Sequence, residues 1–113
     1  MIIDEKDCTK AMLSIKDALE AVEGRWKLLI IYSLCSGPKR FKEISREVTA
    51  ISDKTLAKEL KNLQMSKLIN RTVHDSFPPI VEYSMTPHAM NLKNVLFELW
   101  SWGIAHRLEV IGK

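Results

Sequence analysis

Apolar residues recur at helical spacing from the start of the chain. Ile15, Ala18, Leu19 and Val22 fall at i, i+3, i+4 and i+7, one face of a helix over Thr9–Val22. Gly24 then supplies a left-handed stop. From Arg25 to Cys35 the chain is apolar at Trp26, Leu28, Leu29, Ile30, Ile31, Tyr32 and Leu34. That pattern predicts a second helix buried on several sides, ended by Gly37-Pro38. A third, short helix follows, with Phe41, Ile44 and Val48 inward and Lys42, Glu43, Arg46 and Glu47 outward. After Thr49-Ala50-Ile51, Ser52 is placed to cap a fourth helix and Asp53 to meet the positive end of its dipole. Ile51 and Leu56 have the spacing of a hydrophobic staple around that cap. Leu56, Leu60 and Leu63 form the buried stripe. Two short helices joined by a tight turn make a helix-turn-helix.

The period then changes from helical to alternating. Ile69, Arg71 and Val73 alternate with Asn70, Thr72 and His74, and Val81, Tyr83 and Met85 with Glu82 and Ser84. Between them lies Asp75-Ser76-Phe77-Pro78-Pro79, rich in turn formers. The pattern predicts an antiparallel hairpin with a stiff tip, a wing beside the helix-turn-helix. Thr86-Pro87 opens a last helix, predicted to run to about Glu109. It has two apolar stripes. Leu92, Val95, Leu96 and Leu99 are expected to cover the core of the domain. Phe97, Trp100, Ile104, Leu108 and Ile111 need another surface. A second copy of the chain meets that need through a two-fold interface; a bend burying both stripes internally is the other solution.

The fold class expected is mainly α with a small β-hairpin: a winged helix-turn-helix flanked by N- and C-terminal dimerisation helices. The chain of 113 residues suits one domain. The helix-turn-helix spans about 41–64, the wing about 69–85 and the C-terminal helix about 87–109. No apolar run approaches the roughly 20 residues of a membrane span. Met1 to Lys10 is polar and mixed in charge, unlike a secretory signal, so a cytoplasmic location is expected.

Charge adds a direction to this outline. The net formal charge is +3, but Gly37–His74 holds nine basic residues against four acidic ones, +5, and the remainder carries −2. A basic middle within a slightly acidic remainder fits one face for a polyanion; a solvated mixed-charge surface fits it too. Little suggests catalysis. His74, His88 and His106 have no partner at metal-ligand spacing, and Cys8 and Cys35 make no CxxC pair. There is no Walker loop, GxGxxG or GxSxG. No enzyme activity, metal or cofactor is expected.

Several runs together resemble one family. Gly24-Arg25-Trp26-Lys27-Leu28-Leu29-Ile30, Gly37-Pro38-Lys39-Arg40-Phe41-Lys42-Glu43-Ile44, and Ile51 to Leu56 with Glu59 to Leu63 are similar to motifs of HxlR-type regulators. So are the two wing strands and the late Trp102-Gly103. They appear in order over nearly the whole chain. Departures are Glu23 and Ala89 where the family has glycine, and Gln64 where it has glutamate; none lies on the expected DNA surface. The resemblance implies a MarR-like winged helix-turn-helix homodimer, a transcriptional regulator binding pseudo-palindromic double-stranded DNA.

On that reading the second helix of the motif enters the major groove. With its leucines inward, Ser52, Lys54, Thr55 and Lys58 are expected to meet base edges, and Lys61 a phosphate. Lys39, Arg40 and Lys42, at the start of the preceding helix, are expected to position the phosphate backbone. Arg71 and His74 bring the wing to DNA, weakly, because its tip carries Asp75 and no cation; an ion pair between Arg71 and Glu82 across the hairpin is the competing role of Arg71. Cys35 is expected to be a buried small hydrophobe. Cys8 is a candidate redox sensor, since a thiol near a helix N-terminus gains thiolate character. A small-molecule or oxidant effector is compatible with this reading, through a pocket between the second and last helices lined by Trp26, Phe97 and Trp100; core packing is the competing role of these three and the one the pattern favours. The alternative function is a winged-helix protein-interaction module without specific DNA binding.

Overall fold

The computed structural model describes the backbone of residues 5–113 and the side chains from residue 8 onward. Among these residues the order of elements is α1 (Glu5–Ala21), α2 (Lys27–Leu34), α3 (Phe41–Glu47), α4 (Asp53–Met65), β1 (Ile69–His74), β2 (Ile80–Met85), α5 (Pro87–Met90) and α6 (Leu92–Val110). Helices α2, α3 and α4 surround one core of Ile30, Ile31, Leu34, Ile44, Val48, Ile51, Leu56, Leu60 and Leu63. Leu68 and Ile69 from the start of the hairpin and Ala89 from α5 close it. Trp26, Phe41, Tyr83 and Met85 are half-buried around its edge.

The local reasons follow from the side chains. Ser52 accepts the Thr55 N–H at 3.1 Å and so caps α4. The turn before it places Ala50 at φ 72°. At the other end of α4, Lys67 takes φ 63°, its N–H reaches the Gln64 carbonyl, and the Leu68 N–H reaches the Leu63 carbonyl, each at 3.0 Å. This is a Schellman ending with lysine where glycine is usual. Thr86 caps α5 through the Ala89 N–H and donates its own hydroxyl hydrogen to the Lys67 carbonyl at 2.8 Å. The start of α5 is thereby tied to the end of α4.

The hairpin pairs Ile69 with Met85 through to His74 with Ile80. A further bridge joins Lys39 to Tyr83: each backbone N–H reaches the other's carbonyl, at 2.9 and 2.8 Å. The loop after α2 thus lines the free edge of β2, which the alternation of the hairpin alone did not indicate.

Packing refines the sequence reading in four places. The last helix is divided: the four residues of α5 are followed by Asn91, still at helical φ and ψ, and then by α6. Its first stripe covers the core only in part: Leu92 and Leu96 pack against it, half-buried, while Val95 and Leu99 are exposed. The face of α1 is likewise uncovered at Met12, Ile15 and Leu19, and only Val22 beyond its end packs on the core. Finally, α2 is not buried all round, since Leu29 and Tyr32 are exposed. The radius of gyration, 16.6 Å, exceeds the roughly 13 Å expected of a compact chain of this length. Elongated helices with uncovered apolar sides account for the difference.

Candidate nucleic-acid interface

Helix α4 carries two opposed stripes. Leu56, Leu60 and Leu63 are fully or almost fully buried, while Lys54, Lys58 and Lys61 are exposed. At about 100° per residue the lysine stripe lies close to opposite the leucine stripe. Burying one side of α4 therefore presents the three ammonium groups together. Arg40 and Lys42 are exposed at the start of α3, and Arg71 on β1. Among the described residues the ion pairs are Lys27–Glu59, Lys39–Glu47 and His74–Glu82, so Lys54, Lys58, Lys61, Arg40, Lys42 and Arg71 are all without a carboxylate partner.

The polar residues at the start of α4 are already engaged. Ser52 is exposed and Thr55 half-buried. The Ser52 hydroxyl accepts the cap hydrogen bond and donates to Thr55 Oγ1 at 2.9 Å. The Thr55 hydroxyl keeps its own hydrogen to offer outward. Asp53 accepts from the Ser45 hydroxyl at 3.4 Å, a link from α3 to the start of α4, in keeping with a structural role. Glu43 reaches back to the Arg40 N–H at 2.9 Å, which holds the first turn of α3.

Three expected contacts look different in the fold. Lys39 is turned inward: its ammonium lies 2.7 and 2.6 Å from the two Glu47 carboxylate oxygens and also donates to the Ser33 carbonyl, so it is not a free cation. His74 is drawn to Glu82 on its own hairpin. The alternative partner for Glu82 is excluded by register, since Arg71 stands opposite Tyr83 and Glu82 opposite Thr72; Arg71 is left unpaired.

Two positioning pairs were invisible in the sequence. Lys27 and Glu59 meet at 2.7 Å with side chains only 12% and 13% exposed, binding the start of α2 to the middle of α4. Ser33, at the other end of α2, donates to Glu47 Oε2 at 2.7 Å. The Lys39 ammonium and the Ser33 hydroxyl hold the Glu47 carboxyl below its usual range. Nothing in a linear pattern indicates either pair, because each joins residues far apart in the chain or facing along different helices.

A second feature lies away from this face. Tyr32, Cys35, Lys93, Leu96, Phe97 and Trp100 line a groove of about 380 Å³ between α2 and α6. Cys35 is half-buried there rather than enclosed. Trp26 is not part of the groove; it packs on the core, with the Arg25 guanidinium 4.9 Å over its ring. Cys8 is exposed on α1. Among the described residues no group of three or more His, Cys, Asp or Glu is placed to hold a metal, and no helix is long and apolar enough to cross a membrane.

Comparison with known proteins gives this arrangement a context. The family model described as HxlR-like helix-turn-helix matches residues 21–110. The HTH-type transcriptional regulator YtcD of Bacillus subtilis is 35% identical over 103 residues, covering 91% of this chain and 82% of that protein. YkvN of the same organism, also named an HTH-type transcriptional regulator, is 42% identical over 84 residues, with coverage of 74% and 71%. Among solved structures, the redox regulator HypR in its reduced form superposes with a TM-score of 0.82 at 28% identity, covering 88% of this chain and 99% of that one.

Proposed function

The chain belongs to the HxlR-like helix-turn-helix family of transcriptional regulators, whose members are regulators and not enzymes, and from that premise we propose that it binds a pseudo-palindromic operator as a homodimer, in a sequence-specific manner. The observation that carries the reading is the exposed, unpaired stripe Lys54, Lys58 and Lys61 on the far side of a capped, firmly buried helix. Ser52, Lys54, Thr55 and Lys58 lie toward the N-terminal half of α4, the part that meets base edges in this motif. Lys61, Arg40 and Lys42 are suited to phosphates, which orient the protein without reading sequence. Arg71 is the wing residue free to join them.

The homodimer rests on uncovered apolar surface. Helix α6 has no buried residue, and Phe97 and Trp100 are each 60% exposed. Ile104, Leu108 and Ile111 continue the face, and Met12, Ile15 and Leu19 add a second one on α1. Surfaces of this kind on one chain favour closure by an identical copy, which also spaces two recognition helices about one turn of DNA, roughly 34 Å, apart. The similarity to HypR, a redox regulator solved in reduced and oxidised forms, makes exposed Cys8 the residue to examine for oxidant control. A Cys8→Ser variant that still releases DNA on diamide treatment would remove it from that role.

Fluorescence anisotropy tests the main reading. The DNA upstream of the protein's own gene is compared with a scrambled duplex at two salt concentrations. Specific regulation requires the scramble to bind at least about a thousandfold more weakly. Lys58→Ala is expected to relax preference at one position in each half-site, and Lys42→Ala to weaken all sequences alike. Equal, salt-fragile binding to both duplexes, repeated with sequences selected from a randomised pool, favours a protein-interaction module instead.

A further inference from the structure

We propose that Lys39 is a positioning residue for DNA recognition and not a phosphate contact: by gripping Glu47 and the end of α2 together, it sets the inclination of α3 and, through α3, the presentation of α4. The proposal rests on the DNA-binding reading above and assigns Lys39 a role opposite to the one its position in a basic run suggests.

Three constraints converge on this residue. Its backbone is held at both polar atoms by Tyr83 of β2. Its side chain is 13% exposed. An ammonium has three hydrogens, and three acceptors surround this one: the two Glu47 oxygens and the Ser33 carbonyl. No donor remains for a phosphate. The Ser33 hydroxyl completes the cluster on Glu47, and Ser33 is the one buried polar residue beside the apolar core among the described residues. The cluster thus ties the end of α2, the end of α3 and the edge strand β2 at one point.

Glu47 needs such partners. It is the last residue of α3, where the helix dipole disfavours a negative charge. Helix α3 has seven residues, too few to be stable by itself, and it fully buries only Ile44. Its direction is therefore decided by what holds its ends: the Glu43–Arg40 contact at one and the Lys39–Glu47–Ser33 cluster at the other. From Glu47 the chain passes through a turn of five residues, Val48 to Ser52, into α4, and Ser45 bonds Asp53 across that turn. A tilt of α3 is carried directly to α4. Base reading tolerates displacements of only about half an ångström.

The test is a salt series of anisotropy titrations on the protein's specific duplex, with wild type, Lys39→Met, Glu47→Gln, the double variant, and Lys42→Ala as a phosphate-side comparison. Thermal melts at the same protein concentration establish that each variant is folded at the assay temperature. Lys39→Met and Glu47→Gln are each expected to lower specific affinity roughly tenfold, as coupled network residues do, and to leave the slope of log K against log salt unchanged. The double variant is expected to be no weaker than the weaker single one. The proposal is overturned if Lys39→Met reduces the slope by about 0.9 for each contact removed, or if Glu47→Gln binds more tightly, as loss of a carboxylate beside a polyanion predicts when it has no positioning role. Glu47→Gln changes one oxygen to an NH2 group and decides the matter alone if Lys39→Met does not fold. Failure of wild type to discriminate any duplex from its scramble strikes the DNA-binding reading itself, and this proposal with it; discrimination by wild type with the charge-only pattern in the variants overturns this proposal alone.

Discussion

Replacing Lys27 with methionine tests how α4 is held in place. Its ammonium lies 2.7 Å from Glu59, and both side chains keep only about an eighth of their exposure. Pairs open to water are worth about 0–1 kcal/mol, whereas removing one partner of a fully buried pair costs about 3–5 kcal/mol. This pair lies between those limits, nearer the buried one, so Lys27→Met is expected to cost about 2–3 kcal/mol. The loss is asymmetric. Glu59 has no other hydrogen-bond donor among the described residues, and its short side chain is fixed midway along α4. Lys27 has a long stem that can carry its charge to water, and its ammonium already lies 3.4 Å from the Glu23 carbonyl. Glu59→Gln is therefore expected to cost less, about 1–2 kcal/mol. The double variant Lys27→Met/Glu59→Leu leaves no charge behind and is expected to recover much of the loss. Urea unfolding at fixed protein concentration measures all three, since association would otherwise shift the midpoints. In a thermal scan the Lys27→Met loss corresponds to a fall of roughly 10 °C for a chain of this size. Costs of Lys27→Met and of Glu59→Leu measured singly that add in the double within about 0.5 kcal/mol would show that the two groups do not support each other, and the account of how α4 is anchored would be wrong.

Other expectations follow from the same structure. Ala50→Gly, at φ 72° in the turn of the motif, is expected to raise stability by about 1 kcal/mol, because glycine adopts that region without a Cβ penalty; a denaturation midpoint that falls would contradict it. Ser52→Ala removes the cap of α4 and is expected to cost about 1 kcal/mol, read in the same assay. The Glu47 carboxyl is held below its ordinary 4.5 by Lys39 and then Ser33, so the unfolded chain binds a proton there more readily than the folded one. Its contribution is present above about pH 4.5 and disappears as the pH falls through the lowered value. The acid limb of a stability–pH curve should accordingly flatten in Glu47→Gln, and an unchanged limb would count against the cluster. Trp100→Glu together with Leu108→Glu is expected to give a folded monomer in sedimentation velocity; a mass unchanged from wild type would move the association surface away from α6.

The helix-turn-helix was legible because its signals are local. Ile51, Ser52, Asp53 and Leu56 announce the start of α4 within six residues, and the leucine spacing identifies its inner side. The hairpin was legible from the switch to alternation at Ile69 and the turn formers at Asp75 to Pro79. The exposed lysines on α4 follow from its leucines, since a helix that buries one stripe must present the opposite one. Other positions obey no local signal. Lys67 ends α4 in a left-handed conformation that sequence assigns to glycine, because the bonds closing that end outweigh the Cβ penalty. Lys39 reads as one cation in a basic run, and its inward direction depends on Glu47 and Ser33 arriving from two other elements.

Periodicity by itself determined which elements form and which face of each is apolar. What covers each face was decided by packing, as α1 and α6 illustrate: their apolar stripes are clear in the sequence, yet this chain leaves them largely exposed while α4 buries its own completely. The reason is physical. Alternation and helical spacing are set by backbone geometry within a few residues, so a sequence carries them directly. Charge pairing and burial depend on atoms brought together from distant parts of the chain. Lys27 meets Glu59, Lys39 meets Glu47, and Arg71 stays free only because the fold sets their distances.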